Sequence, residues 1–97
     1  MIYVIARNEL RPGCRDKFLA AFTAVAPLVL AEPGCLGYRG CADLDAAGAA
    51  GDFVTIVESW NSEAEWRAHL ATPHMAAFRA AAGELRHGCQ VTALAPF

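Results

Sequence analysis

Ninety-seven residues, 56% of them hydrophobic and 19% charged, make one domain at most, here taken as residues 1–97. Eight basic residues against ten acidic ones give a net charge of -2, and Lys17 is the only lysine, so a nucleic-acid or anionic-membrane partner has no basic face to bind. A chain this short buries only about two-thirds of the surface its extended form exposes, so the apolar surplus predicts a second copy, a deep pocket, or both.

The chain starts directly on a strand-like run, without a positively charged leader and cleavage signal, and no segment has the length of a membrane span. The expectation is a soluble, cytoplasmic protein. The four cysteines, Cys14, Cys35, Cys41 and Cys89, contain no C-x2-C pair, which argues against a structural zinc site. Simple alternation puts Cys35 and Cys41 on one strand face about 20 Å apart, too far to bridge. Reduced thiols packed as small hydrophobes are expected.

Met1 to Asn8 reads MIYVIARN. Ile2, Val4, Ala6 and Asn8 share one face and Tyr3, Ile5 and Arg7 the other, which predicts a strand covered on both sides. Arg11-Pro12-Gly13 then turns the chain. From about Cys14 to Leu30 the period becomes helical: Phe18, Phe22, Val25 and Val29 recur at steps of four, three and four, with Leu19 and Ala26 beside them. Pro27 falls inside that stripe and predicts a kink or an early stop near Ala26, because it removes a donor and clashes one turn back. Glu32-Pro33-Gly34 closes the segment.

Cys35 to Ala42 is a second strand, with Leu36 and Tyr38 on one face and Cys35, Arg39 and Cys41 on the other. Its Gly37 and Gly40 suggest a bend or the close approach of a bulky group. Asp43 to Asp52, DLDAAGAAGD, has the composition of a long hairpin loop and lacks a phosphate-binding pattern. Phe53 to Trp60 is a third strand, sending Val54, Ile56, Glu58 and Trp60 one way and Phe53, Thr55, Val57 and Ser59 the other. Ser62 with Glu65 forms a capping box that opens a short helix through Trp66 and Leu70. Thr72-Pro73 opens another, carrying Met75, Phe78, Ala82 and Leu85 and ended by His87-Gly88. Cys89 to Ala95 supplies the last strand.

This order predicts an α+β fold: a ferredoxin-like βαββαβ plan whose four-stranded antiparallel sheet carries its helices on one side. Tyr3, Ile5, Phe53 and Val57 then form an uncovered apolar face, which predicts a homodimer packed sheet to sheet.

Alternation also turns Asn8, Glu58 and Trp60 toward the helices. Burying an amide or carboxylate without partners costs kilocalories, so these groups need partners or a cavity, and a pocket between sheet and helices is the natural site. Asn8 either binds nearby backbone or points its amide at a ligand. Trp60 is core packing or a wall for a flat aromatic. Glu58 pairs with an arginine, makes a dimer contact or works in catalysis. His69 and His74 lie five residues apart around Thr72-Pro73; each is solvent-facing, backbone-bonded or a general base, with His74 placed nearer the pocket mouth. H-x4-H without a third ligand is no metal signature. Arg79 balances Glu58, binds an anion or faces solvent, Tyr38 offers a hydroxyl, and His87 reads as a helix C-terminal charge. Neither a nucleophile elbow nor an opposed glycosidase pair is present.

The runs MIYVIAR from Met1, RPG from Arg11, EPGCLGY from Glu32, VESW from Val57 and AHLATPHMAAF from Ala68 resemble the antibiotic biosynthesis monooxygenase family over nearly the whole chain. These are small dimeric α+β barrel proteins that include quinol monooxygenases. The resemblance implies a pocket where an electron-rich quinol or polyketide-like aromatic meets molecular oxygen without flavin, haem or metal. The substrate anion supplies the electrons, while the protein removes a proton, orients the ring and stabilises the anion. On that pattern Asn8 and Trp60 position the ring and His74 or His69 takes the proton. Tyr38, Glu58, Phe22, Met75, Phe78 and Arg79 then line the pocket. Haem-degrading relatives share the Asn8 and Trp60 positions, but MAAFRAAAG from Met75 lacks their haem-ligating histidine. The alternative class is a non-enzymatic dimeric protein, ligand-binding or stress-associated, with the same chamber.

Overall fold

In the computed structural model, which describes residues 1–44 and 53–97, strand alternation is realised residue by residue. In β1 (Ile2–Leu10) every even-numbered side chain is buried, Asn8 included, and in β3 (Phe53–Trp60) Val54, Ile56, Glu58 and Trp60 are buried. The two strands pair antiparallel, with Val4 opposite Glu58 and Ile2 opposite Trp60. With β2 (Cys35–Cys41) and β4 (Arg86–Leu94) they form one antiparallel sheet in the order β2-β3-β1-β4. Residues 45–52 of the expected hairpin loop lie outside the described residues.

Helix α1 (Arg15–Leu30) buries Phe18, Val25 and Val29, and it continues past Pro27 to Leu30, so the early stop near Ala26 does not occur. Pro27 and Thr23, whose carbonyl loses its partner, both face water, while buried Val25 and Val29 anchor the helix on either side of the proline. Tertiary packing holds the last turn.

The second strand departs from simple alternation. Cys35 stands opposite Trp60 and Gly37 opposite Ser59, so Leu36 is the extra residue of a bulge. Leu36 is therefore 56% exposed while Tyr38 is buried, and the two do not share a face. The same slip separates Cys35, on the helix side, from Cys41, opposite Thr55 on the other side. All four cysteines are free.

Ser62 caps α2 (Glu63–Leu70) by accepting from the Glu65 amide at 3.2 Å and donating to Glu65 Oε1 at 2.8 Å. The helix buries His69 rather than Trp66 and Leu70, which are half-buried and exposed. Thr72 caps α3 (Pro73–Gly83) at 3.3 Å from the Met75 amide, and Met75, Phe78 and Ala82 face the sheet. That helix ends at Gly83, not at His87-Gly88. Leu85 binds back to Ala82 through its amide and accepts from the Arg11 amide, drawing the chain into the sheet, so His87 is a strand residue and caps no helix. No helix among the described residues is long and apolar enough to cross a membrane.

Two regions of the sheet stay open. On the side away from the helices Tyr3 and Val57 are 41% and 38% exposed, and Arg7 lies over Phe53 at 4.2 Å while paired with Asp43 at 2.7 Å. On the helix side, Cys89 and Val91 stand beside Asn8 and Ala6 in register yet remain exposed. The helices stop short of β4, and that gap opens the cavity.

Candidate functional site

A cavity of about 110 Å³ lies between the sheet and α2 and α3. Its floor is Val4, Ala6, Asn8, Ile56 and Glu58; Met75 and Phe78 roof it from α3, and Arg86, Cys89 and Val91 border it from β4. Tyr38, His69 and Arg79 complete the polar part of the lining. This is well below the ~300 Å³ usual for drug-sized ligands, so it suits one ring.

Glu58 projects here because strand alternation leaves it no other side. It is 6% exposed, and its Oε1 accepts from Trp60 Nε1–H at 2.9 Å. Burial pushes its carboxyl up to about 7; the Trp60 hydrogen bond opposes this and the Glu32 charge adds to it. His69 is held by α2 with its Nε2 3.9 Å from the same oxygen and its Nδ1 2.9 Å from Glu32 Oε2. Its ring tilts on Trp60 at 4.7 Å and meets the edge of Tyr38 at 5.9 Å. Burial lowers the His69 pKa most, against the upward pull of Glu32, while His74 and Arg79 lower it further. Tyr38 is driven far above the ordinary phenol range, first by burial and then by the charges of Glu58 and Glu32, so its hydroxyl stays protonated.

Asn8 is wholly buried and fully partnered. Its Nδ2 donates to the Ala6 and Val54 carbonyls, each at 3.1 Å, and its Oδ1 accepts from Arg86 Nη1 at 2.6 Å. No amide hydrogen is left to point at a ligand; Asn8 instead positions Arg86. Arg79 donates to the Leu70 carbonyl at 3.0 Å. Among the described residues neither arginine has a carboxylate partner, so both cations are available to an anion in the cavity.

Of the residues singled out from sequence, Asn8, Tyr38, Glu58, His69, Met75, Phe78 and Arg79 meet at this cavity. Trp60, Phe22 and His74 do not border it. Trp60 is completely buried one layer behind Glu58 and His69, and Phe22 stacks behind Tyr38 at 5.3 Å. His74 reaches Glu32 Oε2 at 2.8 Å and borders a separate apolar groove between α1 and α3. Sequence reasoning missed Glu32 and Arg86. An acid just past a helix C-terminus, where the helix dipole disfavours it, is a signal that Glu32 has cationic or donor partners. Arg86 carries no comparable signal. Among the described residues no group of three or more histidine, cysteine or acidic side chains is placed to hold a metal.

The family described as antibiotic biosynthesis monooxygenase matches residues 1–81. The chain is 42% identical over 85 residues to the "Probable quinol monooxygenase YgiN" of Escherichia coli strain K12, covering 80% of this chain and 81% of that relative. The solved structure of Rv0793 from Mycobacterium tuberculosis superposes with a TM-score of 0.87 at 32% identity, over 99% of this chain and 94% of that one. A conserved protein from Methanosarcina mazei Go1 reaches a TM-score of 0.90 at 20% identity, over 99% of this chain and 92% of that one, which is a likeness of fold.

Proposed function

The chain belongs to the antibiotic biosynthesis monooxygenase family, and from that premise we propose that it oxidises a small single-ring quinol or related phenol with molecular oxygen, using no bound cofactor. One observation carries the reading. A buried histidine, His69, turns one ring nitrogen toward Glu58 at the edge of an apolar cavity and has a carboxylate behind the other. That is the arrangement a general base requires.

In this reading His69 Nε2 takes the phenolic proton. The Tyr38 hydroxyl and the Arg79 and Arg86 guanidiniums supply hydrogen bonds and positive charge to the phenolate. The electron-rich anion passes one electron to oxygen, and the radical pair joins at a ring carbon to give a hydroperoxide. Loss of water then yields the hydroxyquinone. Quinol plus O2 becomes hydroxyquinone plus water: one oxygen atom stays on the ring, the other leaves with two protons, and all four electrons come from the substrate. His69 returns its proton to the departing oxygen. The cavity, at about 110 Å³, favours a single ring over a fused polyketide and is too small for haem. A homodimer through Tyr3, Ile5 and Val57 is part of the proposal.

The test is oxygen uptake with substituted benzoquinols, corrected for autoxidation, with 18O2 followed into product. The expected result is one labelled oxygen per hydroxyquinone and a loss of about 10²-fold or more in kcat/KM for His69→Gln. Uptake that gives only hydrogen peroxide and unlabelled quinone, or a His69→Gln variant with full activity, would sink the proposal. No substrate-dependent uptake across the panel would favour the non-enzymatic ligand-binding class.

A further inference from the structure

Glu32 ties the cavity histidine to the surface. It stands in the turn between α1 and β2, and its single oxygen Oε2 meets His69 Nδ1 at 2.9 Å and His74 Nε2 at 2.8 Å. Side-chain exposure rises along this line, from 1% at His69 through 10% at Glu32 to 24% at His74. An ionised carboxylate only accepts hydrogen bonds, so the nitrogens facing it carry hydrogens. With Nδ1 protonated on a neutral ring, the lone pair of His69 lies on Nε2, the nitrogen that faces Glu58. The opposite tautomer would present an N–H there and set two lone pairs against each other at Glu32.

We propose that Glu32 is a positioning residue that fixes the tautomer of His69, and that His74, through the same carboxylate oxygen, couples that base to the pH of the solvent. The proposal rests on the reading of His69 as the base. A proton gained by His74 makes it a cation on Glu32 Oε2, and a proton then taken by His69 sets two imidazolium rings on one negative oxygen. The second cation forms less readily, so His69 holds its proton more weakly whenever His74 is charged. Other groups face His69 from the elements around it: Glu58 from β3, Tyr38 from β2 and Arg79 from α3, with Arg86 and Cys89 across the cavity on β4. An arginine guanidinium is not deprotonated in a protein over this range. Glu58 titrates in the same range as a histidine, so its contribution must be removed separately.

The experiment is long-range 1H–15N NMR of the imidazole rings in the full chain from pH 5 to 9. It compares wild type, Glu32→Gln and His74→Asn, with the two substitutions repeated in a Glu58→Gln background. Wild type should show His69 with hydrogen on Nδ1 and a bare Nε2 above its titration. Glu32→Gln should move hydrogen to Nε2 or mix the two forms. His74→Asn should keep the tautomer and raise the His69 midpoint by about 0.5–1 pH unit. Wild-type His69 protonated on Nε2, an unchanged tautomer in Glu32→Gln, or an unmoved midpoint in His74→Asn would each overturn the proposal. If Glu32→Gln does not fold, the wild-type tautomer and the half-buried His74 position still decide the matter. None of these readouts needs turnover. A tautomer that shifts in Glu32→Gln without any change in oxygen uptake would uphold Glu32 as the positioning residue while sinking the base assignment.

Discussion

Glu58→Gln removes a buried charge while keeping the side chain's shape. In the wild type the carboxyl keeps its proton to about pH 7, against 4.5 for a free side chain, chiefly because it is buried. Between those values the unfolded chain has released the proton and the folded chain has kept it, so stability falls as pH rises through the window. At about 1.36 kcal/mol per unit, the fall is about 3 kcal/mol in all. Below the window both states are protonated and above it both are ionised, so the contribution is flat at each end. Glutamine retains Oε1 to accept from Trp60 Nε1–H and does not ionise. The stability of the variant relative to wild type should therefore grow by about 3 kcal/mol between pH 4.5 and pH 8. His69 works in the opposite sense: its folded pKa is depressed, so its contribution is present at higher pH and is lost as pH falls. Both proteins contain it, and it cancels to first order in the comparison. The assay is urea denaturation at one protomer concentration, which holds any dimer mass action fixed, in half-unit pH steps. A difference constant within about 0.5 kcal/mol across the range would refute the burial argument.

Three further substitutions probe the scaffold and the assembly. Ser62→Ala removes the α2 cap and should lower stability by about 1 kcal/mol in the same denaturation assay. Gly34→Ala puts a side chain at φ +80° and forces the Glu65 carboxylate aside; a loss of about 1–2 kcal/mol is expected from the backbone strain, and under 0.5 kcal/mol would contradict the geometry. Val57→Lys places a charge on the open sheet face. It should halve the sedimentation mass at micromolar protein while leaving secondary structure intact, and a wild-type monomer at that concentration would rule out the proposed dimer.

The legible parts of the fold were those with a single periodic signal. Val54, Ile56, Glu58 and Trp60 alternate without interruption, and the structure buries all four. Ser62 with Glu65 and Thr72 with Pro73 announced the starts of α2 and α3, because caps are local chemistry. The parity of the second strand was not legible: the bulge at Leu36 is set by pairing with Trp60 and Ser59, far away in sequence. The end of α3 was missed for a similar reason. Leu85 and Arg11, distant in sequence, bind each other and end the helix before the glycine that would have stopped it. Pro27 shows tertiary burial overriding a local rule.

The sequence brought Asn8 and Glu58 to the cavity wall, whereas Trp60 lies one layer behind it. Asn8, Glu58 and Trp60 drew attention because burying them without partners is costly, and the protein meets that cost mainly with hydrogen bonds: Asn8 to backbone and Arg86, Trp60 to Glu58. Asn8 thus holds Arg86, and Trp60 holds Glu58, where each borders the cavity. The same burial has a chemical consequence that neither side chain has alone. It pushes the Glu58 carboxyl up to about 7 and lowers the His69 imidazole, so burial favours the neutral form of both across a gap of 3.9 Å. A base far stronger than its neighbour would keep the proton it removed, and one far weaker would leave it on the substrate. In the proposed reaction a His69 held neutral is free to take the phenolic proton and to return it to the departing oxygen. In the proposed reaction both transfers fall within one turnover, and alternation in β3 and the capped start of α2 bring Glu58 and His69 together.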